Sequence, residues 1–347
     1  MHLISPSDPL IQYTGRTDRS EPGKVLFTWV YSSFRFILKG KEAKLLLEGL
    51  RGYWQNIVGL IVNGAELRFP LPDGQQEVDL SPFLIDEIND VLVYKRQDAC
   101  NYFAFRGIQT SGMLLPPPER PQRRIEVYGD SVSAGELCEA MHLAGKCDPE
   151  NHEGIYSNSW YSYATQTARA LNAELNNISQ GGIALKNGTG WFYGPDYIGL
   201  ESCWDKCAYN PYIAPVTDWD FSVWIPQLVI VAIGQNDAHP EDLMKQDPQS
   251  EKALNWVKDY SSFIEKLREK YPKAEIILLT TVLMHDAAWD DAIERACRMC
   301  ADERVHHFLF HRNGIATPGH PRVSEHTEMA RELTQYILSL GDEIWTR

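Results

Sequence analysis

Four short stretches of this chain carry residue types that together perform acyl transfer: Gly129-Asp130-Ser131, Gly181-Gly182, Gly234-Gln235-Asn236-Asp237 and Gly319-His320-Pro321. A serine in the turn between a strand and a helix exposes its hydroxyl, and an imidazole that takes its proton makes it a nucleophile. Ser131 is the candidate nucleophile and His320 the candidate base. The tetrahedral intermediate of such a reaction carries an oxyanion, which needs preorganised N–H donors worth on the order of 3 kcal/mol each. The Ser131 amide, a backbone N–H of the glycine turn and the Asn236 side chain are suitable donors. Glycine suits the turn because a side chain would keep the backbone from approaching the substrate.

These residues are positioned by a regular alternation of elements. The apolar runs RIEVYG, AELNNIS, LVIVAIG, EIILLTTV and VHHFLF read as strands, and between them SWYSYATQTARALN, EKALNWVKDYSSFIEKLREKYP and DDAIERACRMC have helical periodicity. SEHTEMARELTQYILSL supplies a last amphipathic helix. Strands alternating with helices predict a parallel sheet covered on both faces, and ligands of such sheets bind at the carboxyl ends of the strands. The first three motifs each follow a predicted strand, and the fourth precedes the last helix.

From Lys24 to about Thr110 the character differs, with short runs rich in β-branched and aromatic residues and no helical pattern. Phe34, Phe36 and Leu38 alternate with Arg35, so one face looks into a core. Asn63-Gly64 predicts a two-residue hairpin, because a type I′ turn needs positive φ at both positions. Many short strands predict a β-sandwich of jelly-roll type. The expected organisation is a sandwich over 1–112, a proline-rich linker over 113–122 containing Pro116, Pro117 and Pro118, and an α/β domain over 123–347. The stretch 186–226 is poor in regular pattern and dense in Trp, Tyr, Gly and Pro, and reads as a functional excursion over the sheet.

Composition narrows the partners. Thirty-three basic against 47 acidic residues give a net charge of −14, which argues against nucleic acid and against an anionic lipid surface. The opening residues show no signal-peptide pattern, no apolar run approaches the ~20 residues of a membrane span, and seven cysteines is an odd number, so a cytoplasmic location is expected. Cys203/Cys207 and Cys297/Cys300 are each close in sequence but have no second pair at zinc-site spacing, and no metal or organic cofactor is expected.

Taken together, GDS, the glycine turn, GQND and HP resemble, in order and in element, the four sequence blocks of the SGNH (GDSL-type) hydrolases, whose fold is a flavodoxin-like α/β domain. With YTGRTD and FTWVYSSFRFILKGKEAKLLLEG ahead of them, the chain is similar to carbohydrate esterase family 2. That resemblance implies Ser131 as nucleophile, His320 as catalytic histidine, Asn236 as side-chain oxyanion donor and Gly182, with Gly181 next, as the glycine donor. His326 falls on a structural position. The general SGNH pattern has an aspartate three residues before the histidine, where this chain has Thr317. Family 2 includes Ser-His dyads with the imidazole held by a backbone carbonyl, so the resemblance implies a dyad here. It also implies removal of O-acetyl groups from mannan, glucomannan or xylan fragments, with the 6-O position of a hexose as a target.

Blander roles compete at each position. A serine after a strand is commonly a helix N-cap, and an Asn-Asp pair commonly a turn. His239 and His285 also follow strands and are reserve candidates for the base or the pocket wall, whereas His306 and His307 read as structural. Trp191, Tyr193 and Trp204 suit either sugar stacking or packing of the excursion, and Asp196, Glu201 and Asp205 either sugar hydroxyls or solvent. Trp29 and Tyr31 read as sandwich core. Two rival functions stay open: an SGNH esterase for a lipid or other small acyl ester, which calls for a long apolar channel, and a non-catalytic glycan-binding protein.

Overall fold

The computed structural model describes residues 1–346. Its N-terminal part is a sandwich of two six-stranded antiparallel sheets. One contains Ala43–Arg51 and Asn101–Thr110, the other Ser33–Lys39, Ile57–Val62, Ala65–Pro70 and Ile88–Lys95. Phe34, Phe36 and Leu38 are fully buried between the sheets, while Arg35 points outward to Asp90. The hairpin turns at Asn63 (φ 52°) and Gly64 (φ 84°), as a type I′ turn requires. Met113–Leu115 pairs with Ser33–Lys39, so the sandwich extends to Leu115 and takes in the first residues of the expected linker. The three prolines follow, where no ladder N–H is needed.

The α/β domain is a five-stranded parallel sheet in the order β2-β1-β3-β4-β5, with β1 at Arg123–Gly129, β2 at Ala173–Ser179, β3 at Leu228–Ala232, β4 at Glu275–Leu279 and β5 at Val305–Phe308. Helix α1 (Ser131–Ala134) opens directly after β1, α2 (Tyr163–Ala170) precedes β2, α3 (Glu251–Lys270) joins β3 to β4, α4 (Ala287–Met299) joins β4 to β5, and α5 (Val323–Ser339) closes the chain. The order reverses between β1 and β3, so the crevice for a ligand opens beyond their carboxyl ends.

The two parts share a core. Trp29 belongs to the cluster around β1 and α3 rather than to the sandwich interior, and it stacks on Tyr209 of the excursion at 5.0 Å. Tyr31 likewise packs between Tyr94 and Trp160. Arg16, in the YTGRTD stretch, is fully buried and bonds Tyr128 at 2.7 Å and the Trp204 carbonyl at 2.5 Å, with the fully buried Glu126 at 3.2 Å. Removing one member of a buried ion pair costs roughly 3–5 kcal/mol, so this arginine locks the sandwich to the first hydrolase strand.

Candidate active site

Asp130 and Ser131 begin α1 as cap and first residue. Asp130 Oδ1 accepts the Val132 N–H at 3.0 Å, while its Oδ2 accepts from Gln235 at 2.5 Å and receives a longer contact from Asn236 at 3.4 Å. Burial pushes its carboxyl up to about 7 against these hydrogen bonds. The aspartate therefore joins the nucleophile turn to the Asn236 turn. As the first helical residue, Ser131 has an amide with no acceptor inside the helix, which leaves it free for an oxyanion.

His320 Nε2 lies 2.8 Å from Ser131 Oγ, the contact a general base needs. Its Nδ1 lies 2.8 Å from Asp148 Oδ2, and the same oxygen accepts the His320 backbone N–H at 2.8 Å. Arg322 Nη2 holds the other oxygen at 2.9 Å. The imidazole is thus oriented by a carboxylate, and the expected dyad is corrected to a Ser131–His320–Asp148 line. The acid escaped the sequence because it lies 172 residues from the histidine, in the loop after α1. Gly319 makes room for it. A Cβ there would meet the Asp148 carboxylate at 2.5–2.6 Å, and its φ of +108° is one that L side chains rarely adopt. Thr317 Oγ1 accepts the Gly145 N–H and so ties the two loops together.

The charges follow from this geometry. Burial raises the Asp148 carboxyl, but its bonds from His320 and Arg322 outweigh that and hold it at about 2. Burial lowers the His320 imidazole, but the negative charges of Glu136, Asp148 and Asp130 prevail and keep it above its usual value.

On the glycine turn, the Gly181 N–H donates to Asp98 Oδ2 at 2.8 Å, whereas the Gly182 N–H meets no acceptor among the described residues. Gly182, at φ +74°, lines the cavity and is the candidate glycine donor. Asn236 Nδ2 donates to the Ile183 carbonyl at 3.0 Å, which orients the amide, and its second hydrogen makes only the long 3.4 Å contact with Asp130 Oδ2, which an oxyanion would replace.

These groups lie in a cavity of about 670 Å³ whose wall includes Trp191 and Tyr193. Trp191 is 55% exposed and stacks on His239 at 3.5 Å. Trp204 is not in this wall: it is buried against Phe221 and Phe263, so of its two candidate roles the structure gives it packing and not substrate contact. His285 turns away to Asp290 at 3.0 Å, and His326 is buried, accepting the Tyr163 N–H at 3.1 Å, with burial pulling it down to about 3. The sequence reading missed Glu136 and the sandwich loop Arg51, Gly52, Tyr53 and Trp54, all of which line the cavity. It also missed Asp98. Consecutive aromatics at 53–54 were the one available signal.

Comparison with known proteins points to one family. Residues 13–118 match the family model described as carbohydrate esterase 2 N-terminal. The family 2 carbohydrate esterase structure from Cellvibrio japonicus superposes with a TM-score of 0.84 at 26% identity, covering 100% of this chain and 99% of that one. In its N-terminal part and in overall fold the chain is similar to carbohydrate esterase family 2. Its relatives support a carboxylic ester hydrolase. A second family 2 structure, from Clostridium thermocellum in complex with cellohexaose, gives a TM-score of 0.79 at 26% identity over 94% of this chain and 98% of that one. By sequence this esterase is 27% identical to the acetylxylan esterase / glucomannan deacetylase of Cellvibrio japonicus, over 98% of this chain and 92% of that protein. It is 28% identical to the cellulase/esterase CelE of Acetivibrio thermocellus over 95% of its own length, but spans only 39% of that larger protein.

Proposed function

We propose that this esterase removes O-acetyl groups from oligosaccharides of the mannan, glucomannan or xylan type, including 6-O-acetyl hexoses. The carrying observation is the 2.8 Å contact of Ser131 Oγ with His320 Nε2 at the floor of an aromatic-walled cavity. Ser131 attacks the acetyl carbonyl as His320 takes its proton. The tetrahedral oxyanion is received by the Ser131 and Gly182 amides and Asn236 Nδ2. His320 then protonates the departing sugar oxygen, and water, deprotonated by the same imidazole, hydrolyses the acetyl-enzyme. Asp148 holds the Nδ1 proton and stabilises the imidazolium without taking the proton itself.

Sugar rings present C–H faces to aromatic side chains, and Trp54, Tyr53, Trp191, Tyr193 and Tyr212 surround the nucleophile. The names of the Cellvibrio and Clostridium relatives support the same substrate class. Acetate release from acetylated manno- and xylo-oligosaccharides tests the reading. Wild type is expected to release acetate and Ser131→Ala to lose ~10⁴-fold or more in kcat. Equal rates for the two proteins, or preference for octanoyl over acetyl chromogenic esters, would overturn it.

A further inference from the structure

Glu136 is the one cavity-lining carboxylate near the reacting atoms that the mechanism leaves idle. Its side chain is only 12% exposed, yet neither oxygen has a hydrogen-bond partner among the described residues. The nearest nitrogens are His152 Nε2 at 3.8 Å and His320 Nε2 at 4.0 Å, both beyond hydrogen-bond length. A largely buried carboxylate that is only loosely paired and has no hydrogen bond is unfavourable, which points to a hydrogen-bond donor that arrives with the substrate.

The position says what that partner is. His320 Nε2 must come within about 3 Å of the departing sugar oxygen to protonate it. A carboxylate oxygen 4.0 Å from the same nitrogen is therefore within reach of the sugar that carries the departing oxygen. Polar groups of a sugar beside its ester are hydroxyls, and a hydroxyl is a donor that a carboxylate accepts well. Gly181 keeps the space open, since a Cβ there would lie 2.6 Å from Glu136 Oε2. On the basis of the acetyl-sugar reading above, we propose that Glu136 is a specificity residue that accepts a hydrogen bond from a free sugar hydroxyl close to the scissile ester, so that the esterase selects partly deacetylated sugars over neighbouring-position acetylated or deoxygenated ones.

Burial also pushes the Glu136 carboxyl up, with Asp98, Asp148 and Asp130 adding to the effect and His320 opposing it.

The test compares kcat/KM for a mono-O-acetylated methyl hexoside, its singly deoxygenated analogues and 4-nitrophenyl acetate, in wild type and Glu136→Gln. For wild type, removing one particular hydroxyl is expected to lower kcat/KM about 10-fold or more, chiefly through KM. In Glu136→Gln that discrimination should shrink to about 3-fold or less, and the ratio of sugar-ester to nitrophenyl-ester activity should fall. Wild type hydrolysing every deoxy analogue as well as the parent would overturn the proposal without any variant having to fold. So would a folded Gln variant that discriminates as sharply as wild type. Hydrolysis of nitrophenyl acetate with no acetate from any sugar would sink the acetyl-sugar reading itself, and this assignment with it.

Discussion

On the hydrolase side of the cavity, Ser131, Gly182 and Asn236 each sit within a few residues of a strand's carboxyl end, and the parallel ladder from Arg123 to Gly129 fixes their mutual placement. On the sandwich side the contacts come from two loops. Residues 51–54 form a wall, and Asp98 reaches across to the glycine turn. The first set is positioned by backbone hydrogen bonds that any α/β sheet must make. The second depends on two domains docking at one orientation, which Arg16, Glu126 and Trp29 secure. Chemistry in this esterase is thus carried by regular structure, and its tuning by long-range loops. Asp148 stands between the two, a hydrolase residue held by loop contacts, and it offers the largest way to break the comparison.

Asp148→Asn keeps the shape of the acid but removes its charge and reverses the preferred imidazole tautomer. We expect kcat/KM to fall ~10²- to 10⁴-fold. The pH profile supplies a second readout. With His320 as the proposed base, activity should rise with pH through the imidazole pKa, and in wild type that limb is expected above the usual imidazole value. Removing a negative charge destabilises the imidazolium, so the acid limb of the variant should move to lower pH. Asp148 is itself held at about 2 and stays charged throughout that range, so no second limb should come from it. A fall of under 3-fold with no shift of the limb would restore the dyad.

Asp98 tests whether the sandwich takes part in the chemistry. Its Oδ2 accepts from the Gly181 N–H and from Gln180 Nε2, both at 2.8 Å, while its own backbone carbonyl is gripped by the buried Lys95 Nζ at 2.5 Å. Without the carboxylate, the turn that aims the Gly182 N–H loses its anchor. A misplacement of about 1 Å is worth up to ~10²-fold in rate. Asp98→Ala is therefore expected to lower kcat about 10- to 100-fold with little change in KM for small acetyl esters. An unchanged kcat would show that the sandwich buttresses the fold and nothing more.

How much was legible in the sequence follows the same division. The five strands, the four principal helices and the Ser131, Asn236 and His320 positions were readable because periodicity and strand-end motifs are local signals. Asp148 was not, since its only trace was a glycine at 319 whose cause lay 172 residues away. Nor was Asp98, which is one acid among 47 until docking brings it to Gly181. Trp204 stayed open between sugar stacking and packing because an aromatic in an irregular segment has no periodicity to say which way it faces. The linker boundary moved by three residues because Met113–Leu115 is too short a strand to show alternation.

The smallest expected effect concerns the sandwich wall. Trp54, at φ 59°, packs its ring edge-on to Tyr53 at 5.1 Å and lines the cavity from the sandwich, whereas Trp191 lines it from the hydrolase excursion. If a sugar is gripped between domains, both tryptophans touch it, and each ring contact contributes roughly 0.5–1.5 kcal/mol beyond its buried area. Trp54→Ala and Trp191→Ala should then each raise KM about 3- to 10-fold for an acetylated tetrasaccharide, and by less for 4-nitrophenyl acetate, which is too small to span the cavity. The double variant decides between one gripped ring and two independent ones. Multiplied effects mean separate sugars on separate walls, whereas a combined effect no larger than either alone means one sugar sandwiched by both. An effect of Trp191→Ala without any from Trp54→Ala would confine recognition to the hydrolase, leaving the sandwich only the Asp98 anchor as its share in catalysis.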